Sequence, residues 1–268
     1  SSEKQQLPKP KRRWFQLRLR TLLVLVTLAS VPLSWVGWEL DQRRREKVAI
    51  AWVEKMGGSV SFDVNTHSEL YYNSWWNRTT DTLFGERVRF LDLAGRKVSD
   101  LSPLANMKNL RVLHLELRYT QVSDLSPLAD LKNLNYLYLS QTRVRDLSPL
   151  AELKKLSILD LRYTQVRDLS PLAGLEKLKI LRLSETEVSD LSPLAGLKKL
   201  RILQLSETEV SDLSPLADMK NLQYLELDQT EVSDLSPLAD LKGNLNYLNL
   251  SQTRVRDLSP LAGLKYLS

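Results

Sequence analysis

The stretch VSDLSPLADLKNLNYLYLSQTR, residues 122–143, decides how the rest of the chain is read, because almost everything from residue 88 onward is this unit again. Its core string V-[SR]-D-L-S-P-L-A starts at Val98, Val122, Val144, Val166, Val188, Val210, Val232 and Val255, a period of 22 residues with one step of 24 and one of 23. A fixed period in this range marks a solenoid. Inside one copy, Leu125, Leu128, Leu131, Leu134 and Leu137 fall three apart, Leu139 follows two later and Val144 five after that. Three is the 3₁₀ period and two is the strand period. The unit therefore predicts a tight helical turn and then a short strand over residues 136–140, with Leu137 and Leu139 facing inward. Ser126 and Pro127 supply a start signal for the turn, a hydroxyl to cap a free backbone N–H and a proline at the first helical position, where no donor is needed.

The line L-x-x-L-x-L-x-x-T-x-V resembles the leucine-rich repeat in its short, internalin-like form of 22 residues, with D-L-S-P-L-A on the outer side, and the match covers residues 88–267. The resemblance implies an α/β fold: a leucine-rich repeat solenoid with a curved parallel sheet on the concave side and 3₁₀ or short turns on the convex side. The family usually has Asn where this chain has Thr120, Thr142, Thr164, Thr186, Thr208, Thr230 and Thr253. A threonine hydroxyl offers less than an amide, so the expected role is the same bonding between coils in a weaker ladder. Because each unit buries its apolar face only against its neighbours, these Leu, Thr, Asp and Pro columns are read as architecture.

A chain of 268 residues holds one or two domains, and 43% hydrophobic with 26% charged residues is ordinary for a folded protein. The charge is unevenly placed. Lys4, Lys9, Lys11, Arg12, Arg13, Arg18 and Arg20 against Glu3 give the first twenty residues +6, the whole-chain total, so the remainder sums to zero. A domain that binds nucleic acid needs a basic face to neutralise phosphates, so no nucleic-acid partner is expected. Without cysteine there is neither a disulfide nor a thiolate metal site, and the cysteine-rich end caps of animal and plant extracellular members are absent; the chain resembles the bacterial ones.

The basic tail KPKRRWFQLRLR leads into TLLVLVTLASVPLSWVGW, residues 21–38, from Thr21 to Trp38 without a charge. As a helix this stretch would span about 27 Å, close to the hydrocarbon thickness of a bilayer. Trp14, Phe15, Trp35 and Trp38 bracket it where aromatic belts sit. Five Lys/Arg follow in residues 39–57 (Arg43, Arg44, Arg45, Lys47, Lys55), fewer than precede it, which places the N-terminus in the cytoplasm and the repeats outside. Two readings compete with this signal-anchor: a cleaved signal peptide using residues 22–28 with Thr27 and Ala29 at the small positions, which would yield a secreted protein, and a buried soluble helix.

Downstream, Ala49, Trp52, Val53 and Met56 fall at i, i+3, i+4 and i+7, Gly57 and Gly58 stop the helix, and Val60, Phe62 and Val64 alternate as a strand. A terminal coil exposes core unless something covers it, so residues 42–87 are expected to cap the solenoid, with Trp75, Trp76, Leu83 and Phe84 adding apolar surface. The run from RRWFQLRLRTLLVLV to VEKMGGSV also resembles the N-terminal part of membrane-anchored leucine-rich repeat proteins of planctomycete-type bacteria, a likeness that names no activity. The expected organisation is a basic cytoplasmic tail at 1–20, a transmembrane helix at 21–38, a juxtamembrane helix and N-terminal cap at 39–87, and the repeat domain at 88–268.

Val88, Leu91, Leu93 and Val98 reproduce the spacing of Leu134, Leu137, Leu139 and Val144, placing the first strand near residues 88–94. The 24-residue step comes from LRVLHLELRYT, residues 110–120, where a bulge or longer strand is expected. The 23-residue step comes from Gly243 on an outer connection. Leu264 and Leu267 begin another unit without a written cap, so an exposed apolar end, self-association through that coil, or a truncated product is expected.

Few residues suggest chemistry. His67 and His114 are the only histidines, lie in different regions and have no nucleophile pattern near them, so neither a catalytic residue nor a histidine metal site is assigned, and no cofactor is expected. The column Asp100, Asp124, Asp146, Asp168, Asp190, Asp212, Asp234 and Asp257 would stack about 4.8 Å apart between coils. Ca²⁺ wants six to eight oxygens and each unit supplies one carboxylate, while Asp two residues before Ser-Pro suits bonding of the turn, so metal is not assigned.

Recognition is placed instead on strand residues that point away from the core. One row is Tyr136, Ile158, Ile180, Ile202, Tyr224 and Tyr247; the second is Tyr138, Asp160, Arg182, Gln204, Glu226 and Asn249; the third is Ser140, Arg162, Ser184, Ser206, Asp228 and Ser251. The first row is an apolar stripe on a surface expected to be wet, either a binding site or the ordinary preference of strands for Tyr and Ile. Along the strand exits, Arg143, Arg145 and Arg167 precede Glu185, Glu187, Glu207, Glu209 and Glu231, followed by Arg254 and Arg256. This edge either pairs two molecules antiparallel, steers a charged partner, or is solvated loop charge. The sequence thus reads as a membrane-anchored, non-catalytic binding module of a bacterium with a protein ligand on its concave face. The alternative is a self-assembling envelope component.

Overall fold

The computed structural model describes residues 13–62, 88–105, 114–241 and 244–264, with side chains described from residue 34 onward except at His114. The chain forms two compact units, residues 1–44 and 45–268. The boundary falls inside the first helix, α1 (Arg13–Lys55), which runs without interruption for 43 residues. The stretches assigned from sequence to a transmembrane helix at 21–38 and a juxtamembrane helix after it both fall within this one helix, and the glycine pair that ends it lies at residues 57 and 58. Among the described residues no helix is long and apolar enough to cross a membrane. Of the proposed span, the side chains of residues 21–33 lie outside them, as do residues 1–12, the side chains of Trp14 and Phe15, and Val64, Trp75, Trp76, Leu83 and Phe84 of the expected cap.

In the larger unit the last turns of α1 carry the spacing read from the sequence: Ala49 and Val53 are fully buried, with Ile50, Trp52 and Met56 packed against the same core. The helix ends because Gly57 takes φ +76°, while the N–H of Gly57 donates to the Glu54 carbonyl and that of Gly58 to Val53, both at 2.9 Å. That pair of bonds satisfies carbonyls the helix would otherwise leave open. The chain then enters β1 (Ser59–Ser61), which lies antiparallel to β2 (Phe90–Asp92) and occupies its free edge. A Cβ on Gly58 would stand 2.4 Å from the Asp92 carbonyl oxygen and 2.9 Å from Val53 Cγ1, so only glycine fits between helix and strand. Buried Glu46 completes the cap by accepting the Val88 N–H at 2.8 Å.

From β2 on, every strand pairs in parallel with the next: β3 (His114–Glu116), β4 (Tyr136–Tyr138), β5 (Ile158–Asp160), β6 (Ile180–Arg182), β7 (Ile202–Gln204), β8 (Tyr224–Glu226) and β9 (Tyr247–Asn249). Among the described residues the sheet has nine strands in sequence order. Each strand is three residues long, shorter than the five expected, because the chain turns away as soon as the second inward leucine is placed. The three-residue leucine spacing becomes a run of i to i−3 bonds: the N–H groups of Leu128, Leu131 and Leu134 donate to Leu125, Leu128 and Leu131 at 2.8–2.9 Å. A 3₁₀ turn follows in each later coil, from Ser126–Leu128 to Ser259–Gly263, and the first coil has instead a four-residue α-helix, α2 (Ser102–Ala105). The described inward Leu and Val side chains from Val88 to Leu245 are at most 2% exposed. Burying each leucine contributes about 1.5–3 kcal/mol.

Three local expectations are corrected. Ser126 does not cap the turn; the cap position is Leu125 and no side chain bonds there. Asp124 Oδ1 accepts the Ser126 N–H at 2.8 Å instead, and the same bond recurs from Asp100, Asp146, Asp168, Asp190, Asp212, Asp234 and Asp257. The threonines do not bridge coils: Thr142 Oγ1 donates to the Leu139 carbonyl of its own coil at 2.6 Å, and its six counterparts do likewise. Contact between coils is made by main chain, for example Leu139 N–H to Asp160 and Arg143 N–H to Val122. A hydroxyl one bond from Cβ reaches only its own turn. Finally, β3 is neither bulged nor long and pairs in register on both sides. Leu104 to His114 is ten positions where Leu128 to Tyr136 is eight, so the two extra residues precede the strand, in a stretch outside the described residues. Gly243 and Leu267 also lie outside them. In the last coil Leu248, Leu250, Val255 and Leu261 are only partly buried and Leu258 is 60% exposed.

Candidate interaction surface

The open face of the sheet carries the residues singled out by sequence, in the register expected. Tyr136, Ile158, Ile180, Ile202, Tyr224 and Tyr247 are direct neighbours from strand to strand, and all are half-buried. The row extends back to Phe90 and His114. The sequence reading stopped short of them, although the Val88, Leu91, Leu93 spacing already placed Phe90 on this face. Tyr224 and Tyr247 stack with ring centroids 4.2 Å apart and planes 4° from parallel.

The second row is Tyr138, Asp160, Arg182, Gln204, Glu226 and Asn249, again in register, preceded by Asp92 and Glu116. Asp160 differs from the expectation of an accessible recognition group, since it is 0% exposed. Its Oδ1 accepts Arg162 Nε at 2.9 Å and its Oδ2 accepts the other arm of the same guanidinium at 2.8 Å. Ser140, of the third row, is buried as well. The arrangement repeats two coils earlier, where Glu116 Oε1 accepts Arg118 Nε at 2.8 Å and the guanidinium lies 5.5 Å over the Tyr138 ring. An acid on the strand followed two residues later by arginine was present in the text of both coils, but a strand rule that alternates side chains does not predict the pair.

These bonds set the protonation of the groups involved. Hydrogen bonding to Glu116 raises Arg118, and hydrogen bonding to Asp160 raises Arg162, beyond the already high arginine value. Burial raises the Tyr138 phenol. Burial, then donation to Glu226 Oε1, hold the Tyr224 hydroxyl well above the usual tyrosine value, so it remains a protonated donor. Gln204 Nε2 donates to the other Glu226 oxygen at 2.8 Å, and Ser206 Oγ donates to Asp228 Oδ1 at 2.5 Å. The face is thus a set of fixed, paired polar groups beside an apolar stripe. Among the described residues no acid, base and nucleophile converge on it.

Elsewhere, the Asp column is committed to backbone N–H groups. Among the described residues no group of three or more His, Cys, Asp or Glu is placed to hold a metal. His67 and the His114 side chain lie outside the described residues. The strand-exit arginines bond to a neighbouring coil, Arg145 to Gln165 and Arg167 to Glu187 of the next one and Arg254 to Glu231 of the one before. That is the pattern of solvated loop charge, and such exposed pairs contribute little. Beside them the sequence reading missed a backbone feature. Tyr119, Gln141, Tyr163, Glu185, Glu207, Gln229 and Gln252 all have φ of 55–60°, the place held by Gly95 in the first coil. Tyr119 and Tyr163 stand out from it, 60% and 47% exposed.

Residues 87–228 match the family model described as a leucine-rich repeat region. Among solved structures, the chain is similar to internalin C2 of Listeria monocytogenes, with 36% identity and TM-score 0.64 over 67% of this chain and 78% of that one. A second internalin of the same species has 30% identity and TM-score 0.63, over 72% of this chain and 65% of that one. A leucine-rich repeat protein of Leptospira interrogans, at 22% identity and TM-score 0.57 over 67% and 53% of the two chains, shares the fold. No curated protein matches this chain.

Proposed function

Because the chain belongs to the leucine-rich repeat proteins, a family whose members commonly bind other proteins, we propose that it is a non-catalytic protein-binding module whose ligand lies on the open sheet face. The observation that carries this reading is the half-buried stripe Tyr136, Ile158, Ile180, Ile202, Tyr224 and Tyr247, flanked by polar side chains already held in place. A partner covering it would gain apolar burial without having to order loose side chains, one of the costs of forming an interface. The contact residues of the proposal are Tyr138, Arg182, Gln204, Glu226 and Asn249 alongside that stripe, with Asp160 acting beneath the surface through its arginines. Replacing Ile180 and Tyr224 by Ser is expected to abolish recovery of the partner from membrane extracts. Unchanged recovery with both replaced would overturn the site.

The proposal includes display outside the cytoplasm on a single-pass anchor at residues 21–38. Support comes from the uncharged run from Thr21 to Trp38 and the seven basic residues before it. A tag after Ser268 is expected to be digested by protease in spheroplasts while the uncleaved chain stays with the membrane; a protected tag would place the repeats inside. The alternative reading, self-association through the coil that exposes Leu258, predicts sedimentation that rises with concentration.

A further inference from the structure

The open face is electrically divided, and the division selects the kind of segment it takes. On β3 to β6 and the residues just after them stand Arg118, Arg162 and Arg182 against Glu116 and Asp160, three cations to two anions. Arg118 is spent on Glu116, and both arms of Arg162 on Asp160. Arg182 is left with a single approach of 3.9 Å, to an Asp160 oxygen that Arg162 already holds at 2.8 Å, and it is three-quarters buried. It is the excess positive charge of the face.

On β8 the balance reverses. Glu226 accepts hydrogen bonds only from neutral donors, the Tyr224 hydroxyl and the Gln204 amide, and Asp228 accepts one from the Ser206 hydroxyl. Neither carboxylate forms an ion pair among the described residues. Both are partly shielded from water, so a cation placed over them interacts more strongly than it would on an open surface. The Gln204 side chain lies between the two poles with its Nε2 on Glu226 and its Oε1 buried and without a hydrogen bond among the described residues.

Arg182 lies on β6 and Glu226 on β8, two strand spacings apart, or about 10 Å. An extended polypeptide covers that distance in about three residues and a helix in about seven. We propose that the face binds a polypeptide segment crossing the strands with a carboxylate over Arg182 and a lysine or arginine over Glu226 and Asp228, its apolar side chains on Ile180, Ile202 and Tyr224. This rests on the protein-binding reading above and adds the polarity and spacing of the ligand.

The test is a random peptide library displayed on phage and selected on the full chain. Selected peptides are expected to share an acidic and a basic residue three or seven positions apart. Their binding is expected to fall at least about tenfold with Arg182→Glu and with Glu226→Lys, and to recover when the facing peptide charge is inverted. Arg182→Gln and Glu226→Gln, which remove charge without reversing it, are expected to give smaller losses in the same order, and melting curves of all four variants establish that they fold. If Ile180→Ser abolishes binding while charge reversal leaves it unchanged, the charge pattern is wrong and the binding face stands. If neither change matters, both proposals fall. No enrichment, or peptides lacking the charge pair, overturns the polarity.

Discussion

At the scale of single residues, two backbone positions decide more than their side chains suggest. Gly58 sits where a Cβ would meet the Asp92 carbonyl at 2.4 Å, so Gly58→Ala is expected to lower stability by about 1–3 kcal/mol, read as an earlier urea midpoint. If the variant unfolds at the wild-type midpoint, helix and strand do not meet there as described. The left-handed residues have the opposite sensitivity. Gln229, at φ 56°, is expected to tolerate glycine with no loss or a gain up to about 1 kcal/mol, whereas Gln229→Val should cost about 1–2 kcal/mol. Neither position announced its role equally well. The Gly57–Gly58 pair reads as a helix stop in the sequence, but Tyr, Gln and Glu carry no signal for a positive φ, and only Gly95 in the first coil hinted at it. The buried bond from the Val88 N–H to Glu46 spans 42 positions and has no local trace at all.

At the scale of the element, the repeated turn is held by a carboxylate rather than a hydroxyl, and this makes the solenoid sensitive to acid. Asp100, Asp124, Asp168, Asp190, Asp212 and Asp234 sit below the ordinary aspartate value because they accept the serine side-chain and backbone groups two residues on, and Asp257 does so with the backbone bond foremost. A group depressed on folding contributes fully above its unfolded pKa of about 3.9 and loses that contribution as pH falls through the folded value. The melting temperature is therefore expected to be nearly flat from pH 7 to about 5 and to fall below about 4. Replacing Asp190 and Asp212 by Asn should make that acid limb shallower, and an unchanged limb would show that these bonds do not carry the charge dependence. The inward columns behave differently: Leu203→Ala, at a fully buried position, is expected to cost about 2–5 kcal/mol at any pH. Periods of three and two are properties of the chain itself, which is why the leucine columns, the turn-then-strand order and the register were all legible. Which oxygen caps the turn, and whether threonine bonds within or between coils, depends on side-chain reach of a few ångströms, and the pattern of residues does not carry that distance.

At the scale of the whole molecule, the repeat supplies a rigid sheet and leaves its specificity to the positions that vary between copies. The outward rows were legible because strand alternation assigns them. The pairing of Asp160 with Arg162, which takes one candidate contact out of reach of a ligand, was not. What remains on the face is an apolar stripe, an unspent arginine and two carboxylates without a cation. The most direct measurement is site-specific photocrosslinking in cells, with the photoreactive residue placed in turn at Ile180, at Tyr224 and at Ser192, which lies exposed in a 3₁₀ turn. The same protein adduct is expected from positions 180 and 224 and none from position 192. An adduct formed only from position 192, or from no position on the sheet, would contradict a ligand on the open sheet face.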